Sequence, residues 1–128
     1  MVIDSSAFVS IVLLEVDAPI FLGKMVSADL LKTSAASLME ASIVLLSRGG
    51  QLKVVAFDAL LLAYDVEVVP VDRGQVLIAR DAFARFGKGR HPAGLNFGDC
   101  FSYALAKQTG DPLLFKGNGF SQTDIEIA

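Results

Sequence analysis

Three acids stand out by their surroundings: Asp4, Glu40 and Asp99. Asp4 follows the apolar run Met1-Val2-Ile3 and precedes Ser5 and Ser6. Glu40 is the only charged residue between Ala35 and Ser47, in Ala-Ala-Ser-Leu-Met-Glu-Ala-Ser-Ile-Val-Leu-Leu-Ser. A helix that is apolar on most faces is largely buried. A lone carboxylate there is costly unless it is paired, protonated or bound to a cation. Asp99 lies three residues after Asn96, in a capping-box position where the helix dipole favours the ionised form. Each acid also has a plainer reading: Asp99 as a cap, Asp4 as a turn or cap residue, Glu40 on a narrow solvent stripe with Ser37 and Ser47. None of these explains why three acids share equally apolar settings.

Carboxylates without a cluster of His or Cys favour a hard cation with oxygen ligands, Mg²⁺ or Mn²⁺ rather than zinc. His91, beside Pro92 in a basic loop, is too isolated to serve a catalytic triad, and no Gly-x-Ser-x-Gly elbow is present. Gly87-Lys88-Gly89 lacks the phosphate-loop pattern of nucleotide hydrolases. Between Arg80 and His91 the chain carries Arg80, Arg85, Lys88 and Arg90 against only Asp81, and this run leads to Asp99. A solvated helix end accounts for it. So does a phosphate-contacting patch beside a metal site. Acids and bases together suggest metal-assisted cleavage of a phosphodiester, with the metal activating water and stabilising developing charge.

The elements that must position these groups alternate. Met1 to Ile3 reads as a buried strand. Ser5 or Ser6 can cap a helix from Ala7 to about Leu14, and Pro19 suits the first turn of a helix from Ala18 to about Val26. Leu31 to Thr33 reads as a brief strand. Ser34 or Ser37 then caps a helix from about Ala35 to Ser47, which Gly49-Gly50 ends. Lys53 to Tyr64 is a further helix and Val66 to Val71 a strand. Asp72 caps a helix from Arg73 to about Phe86, with Val76, Leu77, Ala79, Phe83 and Ala84 at helical spacing. The helix from Phe97 to about Gln108 follows, then a strand Pro112 to Phe115, a turn Lys116 to Gly119 and an edge strand Ile125 to Ile127. This alternation predicts an α/β domain with a mostly parallel sheet between helical layers, and ligands then bind beyond the carboxyl ends of strands.

The 128 residues predict one domain, 1–128, with 53% hydrophobic residues and a net charge of −3. No apolar run approaches the ~18 residues that span a bilayer. No basic leader or cleavage pattern opens the chain, so no signal peptide is expected. The single cysteine, Cys100, suits a reducing cytoplasm. The net charge argues against a generic nucleic-acid coat protein. The apolar excess predicts a patch against a partner. Ala7, Phe8, Val9, Ile11, Val12, Leu13 and Leu14, with Leu60, Leu61 and Leu62, offer the surplus, and a partner helix in a groove between these helices would use it.

Asp4 with Val2-Ile3 and Ser5-Ser6-Ala7, Glu40 in Ala-Ser-Leu-Met-Glu, Asn96-Phe97-Gly98-Asp99-Cys100 and Leu113-Leu114-Phe115-Lys116-Gly117 resemble PIN-domain ribonucleases, more narrowly the VapC toxins of bacterial VapBC toxin–antitoxin systems. The resemblance covers nearly the whole chain. It implies a three-layer α/β/α fold with a short central sheet and RNA cleavage dependent on Mg²⁺ or Mn²⁺. It implies a homodimer or a hetero-oligomer with a VapB antitoxin, and operator DNA bound through that complex. Asp4, Glu40 and Asp99 would be catalytic and hold the metal. Ser5, Ser6 and Asn118 would support them, and Arg85, Lys88 and Arg90 would contact RNA phosphates. One departure matters. The family commonly carries a fourth acid in the form Phe-Lys-Gly-x-Asp-Phe, and here Gly119 stands in its place, with Asn118 offering only a neutral oxygen. Fewer ligand charges weaken binding of hard cations. A catalytically weakened PIN domain, acting through antitoxin binding and operon autoregulation, is therefore an alternative. A phosphatase unrelated to RNA is a third reading, disfavoured because no Asp-x-Asp follows the first strand.

Overall fold

The computed structural model describes residues 1–128. In chain order the elements are β1 (Val2–Ile3), α1 (Ser5–Val12), α2 (Ala18–Val26), β2 (Lys32–Ser34), α3 (Ala35–Gly49), α4 (Gln51–Ala63), β3 (Glu67–Val69), α5 (Arg73–Phe86), α6 (Phe97–Thr109) and β4 (Leu113–Leu114). A short 3-10 turn covers Phe120–Gln122. The sheet order is β3-β2-β1-β4 and every pairing is parallel.

Strand periodicity explains the layering. Successive side chains of a strand point to opposite faces. Val2 and Leu113 are buried in one cluster with Ala79, Ala82, Tyr103 and Leu105 of α5 and α6. Ile3 and Leu114 are buried in a second with Phe8, Phe21, Ala41, Leu45 and Phe57 of α1 to α4. The pairing of Val2 with Leu113 and Ile3 with Leu114 keeps the two faces in register. This is the expected α/β/α sandwich with a short sheet.

The local differences have local causes. The first helix begins at Ser5 because Asp4 is its N-cap, its side chain accepting from the Ser6 amide; the serines were expected to cap and are instead released for other bonds. Gly50, at φ +71°, ends α3 and starts α4 at once, so α4 begins two residues earlier than its apolar pattern suggests. Pro70, which has no amide hydrogen to continue a ladder, follows β3. The expected edge strand at Ile125 to Ile127 is a single bridge between Ile127 and Leu113.

The surplus apolar surface is not where α1 suggested. Ala7, Phe8, Val9, Ile11 and Val12 are all buried in the chain's own core, and only Leu14, just past the helix, is open. Leu60 and Leu61 pack against that core, while Leu62 is exposed. On α5 the inward residues are Gln75, Ala79 and Ala82, and Val76, Leu77 and Phe83 face out. The exposed apolar side chains gather on α3 (Met39, Ile43, Leu46), α5 and Phe97.

Candidate active site

Asp4 sits where β1 stops, its amide donating to the Leu114 carbonyl at 2.9 Å across the sheet. It is 1% exposed. Oδ2 accepts from the Ser6 amide at 2.9 Å and the Ser6 hydroxyl at 2.5 Å. Oδ1 accepts from the Ser102 hydroxyl at 2.6 Å. The Ser6 oxygen in turn accepts the Lys116 amide at 3.0 Å, which ties the turn after β4 to Asp4.

Glu40 reaches in from α3. Its Oε2 accepts from the Ser5 hydroxyl at 2.9 Å, and Oε1 has no hydrogen-bond partner. Its carboxylate lies over the backbone of α6: a β-carbon placed on Gly98 would fall 2.2 Å from Oε2 and 2.5 Å from Cδ. The solvent stripe considered for Glu40 does not include Ser37, which is fully buried and bonded to Ser102, while Glu40 is half-buried and Ser47 is exposed.

Asp99 arrives on the first turn of α6. The capping box is complete, with the Asn96 amide donating to Asp99 Oδ2 at 2.8 Å and the Asp99 amide to Asn96 Oδ1 at 2.8 Å. Both aspartates cap their helices through Oδ2, so Oδ1 of each lies outside the cap, with Ser102 donating to that of Asp4.

The three acids feel one another. Burial pushes the Glu40 pKa up, and the charges of Asp4 and Asp99 push it further against the lowering effect of the Ser5 bond. Burial also raises Asp99, and Asp4 adds to the rise, while the Asn96 amide bond opposes it. No lysine or arginine forms an ion pair with any of the three. An uncompensated group of like charges with oxygen-only donors fits a hard dication. It is not a ready-made cage: as the side chains stand, no three acid, His or Cys groups converge in ligating arrangement. Asp99 Oδ2 is turned to its own helix start and Glu40 Oε2 to Ser5.

The remaining candidates are placed as follows. Asn118 is exposed, and its carbonyl accepts from the Ser121 hydroxyl. Gly119 faces the loop before α6, where a β-carbon would meet the Ala93 carbonyl oxygen at 3.0 Å. Arg85 is engaged by Asp124 at 3.2 Å and Asp81 at 3.4 Å and lies over the Phe86 ring. Lys88 and Arg90 are exposed and form no ion pair, with Arg90 near the Phe83 ring. Lys116 pairs with Glu15 and Asp17. His91 Nδ1 accepts from the Ala93 amide, a loop-shaping role. The Cys100 thiol is buried and pushed up to about 11 by burial, so it stays protonated at neutral pH.

Sequence reasoning missed Ser102 and Gly98, and it read Ser37 only as a helix cap, a role Ser34 takes, or as part of a solvent stripe. Ser37 and Ser102 are buried beneath the acids, and Gly98 makes room for Glu40. The available signal was spacing: Ser37 is one turn before Glu40, and Ser102 one turn after Asp99.

A family model described as PIN domain matches residues 1–126. The chain belongs to the PIN-domain family. Within that family its relatives are VapC proteins. It is 49% identical to "Ribonuclease VapC" of Mycolicibacterium smegmatis, over 98% of this chain and 97% of that one. It is 44% identical to "Ribonuclease VapC28" of Mycobacterium tuberculosis, over 100% and 97%. Two solved structures share the PIN fold. VapC20 of Mycobacterium tuberculosis, described as a sarcin-ricin-loop-cleaving toxin, superposes with a TM-score of 0.82 at 20% identity, covering 99% of this chain and 97% of that one. A toxin–antitoxin complex from Klebsiella pneumoniae gives 0.73 at 10% identity, covering 99% and 95%. No helix of this PIN domain is long and apolar enough to cross a membrane.

Proposed function

We propose that this PIN domain is the toxin of a toxin–antitoxin pair and cleaves RNA phosphodiester bonds with Mg²⁺ or Mn²⁺. The observation that supports the reading is that Asp4, Glu40 and Asp99, from three separate elements, are near enough for the charges of Asp4 and Asp99 to act on Glu40, with no lysine or arginine paired to any of them. The ribonuclease names of relatives at 44–49% identity support it. Asp4, Glu40 and Asp99 would hold the cation. A bound divalent ion supplies an activated water and stabilises charge on the phosphoryl oxygens.

The chain's own residues do the rest. Ser6 and Ser102 orient Asp4 by donating to both its oxygens. Ser5 holds Glu40 over Gly98. Lys88 and Arg90, free of ion pairs, are the stronger candidates for RNA phosphates. Arg85 reaches a phosphate only by giving up Asp81 and Asp124. Asn118 could add a neutral oxygen from the turn that Lys116 anchors to Ser6. A cognate antitoxin, a homodimer and operator DNA bound through the antitoxin complex belong to the same reading, as does action in the cytoplasm. The exposed apolar side chains of α3 and α5 support a protein partner.

The test is cleavage of RNA by the purified chain in Mg²⁺ or Mn²⁺, repeated with excess chelator. Cleavage that stops with chelator is expected; no cleavage in either metal, or cleavage indifferent to chelator, would sink the reading. Gly119 favours a second reading, a weakened nuclease acting mainly through its antitoxin and its operon. A Gly119→Asp variant that cuts many times faster than the parent would support that one.

A further inference from the structure

Beneath the three acids lies a chain of hydroxyls that the nuclease reading has not used. Ser37 and Ser102 are both 0% exposed, and their oxygens are 2.8 Å apart. Ser102 has one hydroxyl proton and donates it to Asp4 Oδ1 at 2.6 Å. The proton between the serines must then come from Ser37. The order is fixed: Ser37 donates to Ser102, and Ser102 to Asp4.

Each carboxylate oxygen has about two lone-pair sites. Asp4 Oδ2 is filled by the amide and hydroxyl of Ser6. Oδ1 takes Ser102 alone and keeps one site open. The serines also stand in a special place. Ser37 is three residues before Glu40 on α3, and Ser102 three after Asp99 on α6, so each lies one turn below an acid on the same helix face. One hydroxyl pair therefore links all three carboxylate-bearing elements.

We propose that Ser37 and Ser102 are positioning residues for the metal centre: they hold Asp4 so that Oδ1 is the oxygen it offers to the divalent cation. The inference rests on the three acids binding that cation. Ser37 acts only through Ser102, by fixing the donor direction and strengthening the bond to Asp4. A filler role, two small residues letting α3 and α6 approach, makes a different prediction. Filler residues change stability without changing the cation affinity of the folded protein.

Mn²⁺ affinity separates the two, measured by calorimetry on the purified full chain, with thermal melts alongside. Loss of a partner that orients a metal ligand costs about 10- to 100-fold in affinity. Ser102→Ala is expected to weaken Mn²⁺ binding about tenfold or more. Ser37→Ala should weaken it less, and the double variant should bind no worse than Ser102→Ala. A folded Ser102→Ala variant with affinity within about twofold of the parent would overturn the proposal. So would a Ser37→Ala cost that persists undiminished in the Ser102→Ala background. If the alanine variants melt too low to titrate, Ser102→Cys, with its weaker donor, must bind between parent and non-binder; parental affinity there would also overturn it. A parent chain that binds no Mn²⁺ at millimolar concentration would instead refute the metal-centre reading itself.

Discussion

Replacing Gly98 by alanine should separate activity from stability. The added β-carbon would fall 2.2 Å from Glu40 Oε2 and 2.5 Å from both Cδ and Oε1. Ordinary carbon–oxygen contact needs roughly 3.3 Å, close to the 3.5–4.0 Å optimum for carbon pairs. The carboxylate must therefore withdraw by about 1 Å, the scale of misplacement that can cost 10²-fold in rate. That loss corresponds to about 2.7 kcal/mol of transition-state stabilisation. The fold should not suffer. The atoms displaced are the end of a flexible side chain, and alanine is favoured over glycine in helices by about 0.5–1 kcal/mol. Single-turnover RNA cleavage and a thermal melt on the same preparation decide the matter. Gly23→Ala on α2 is the control, since a β-carbon there meets nothing within 4 Å; it should raise stability and leave cleavage alone. A Gly98→Ala variant that cuts at the parental rate would refute the placement of Glu40 over Gly98 as a requirement of the site.

Three further outcomes follow from the same geometry. The metal-free protein should gain stability as pH falls from neutrality toward the ordinary carboxylate range. Glu40 and Asp99 have folded pKa values raised above the unfolded ones, so the folded state binds the extra protons and their ionisation at higher pH is what destabilises. The trend should reverse in stronger acid. Burial would raise Asp124, but bonds from Tyr103, Lys107 and Arg85 hold it down at about 2, so its contribution is present above the unfolded value and lost as pH falls through the folded one. Melts in chelator across pH should show a mildly acidic maximum, and Glu40→Gln should flatten its neutral side. Tyr103→Phe deletes the 2.7 Å bond to Asp124 and should cost about 0.5–1.5 kcal/mol in a denaturant melt, with cleavage unchanged. Gly119→Asp should raise Mn²⁺ affinity in calorimetry while lowering the melting temperature, because the Ala93 carbonyl oxygen stands 3.0 Å from the new β-carbon.

Where a local signal coincided with the tertiary demand, the sequence was enough. Asp72 caps a helix running from Arg73 to Phe86, and Asn96 with Asp99 forms the capping box, both as their residue types require. The lone charge of Glu40 in an apolar helix marked it as a residue in need of a partner from outside the helix, and Ser5 donates to it. What was not legible depends on the third dimension. Helical spacing on α5 could not say that the small residues Ala79 and Ala82 face the core while Val76 and Phe83 face out, because close approach to α6 favours small side chains over apolar ones. The apolar run of α1 looked like surplus and is buried on nearly every face, since the helix is enclosed by the sheet, α2, α3 and α4. Ser37 and Ser102 carry ordinary helix-compatible hydroxyls. Only the crossing of α3 and α6 beside the end of β1 turns them into a relay. The basic run between Arg80 and His91 was divided by the fold in the same way, with Arg85 drawn to Asp124 from far along the chain.

The central claim is that three acids form one cation-dependent centre for RNA cleavage, and Asp99→Asn tests it most directly. Asparagine keeps a side-chain oxygen for the Asn96 amide, so α6 remains capped and the melt should be close to that of the parent. The measurement is the rate of RNA cleavage against Mn²⁺ concentration for the two proteins. A parent rate that rises with Mn²⁺ and a variant rate at least about 10²-fold lower is the expected result, given the loss of one of three ligand charges. Equal rates in both proteins across the titration would contradict the account.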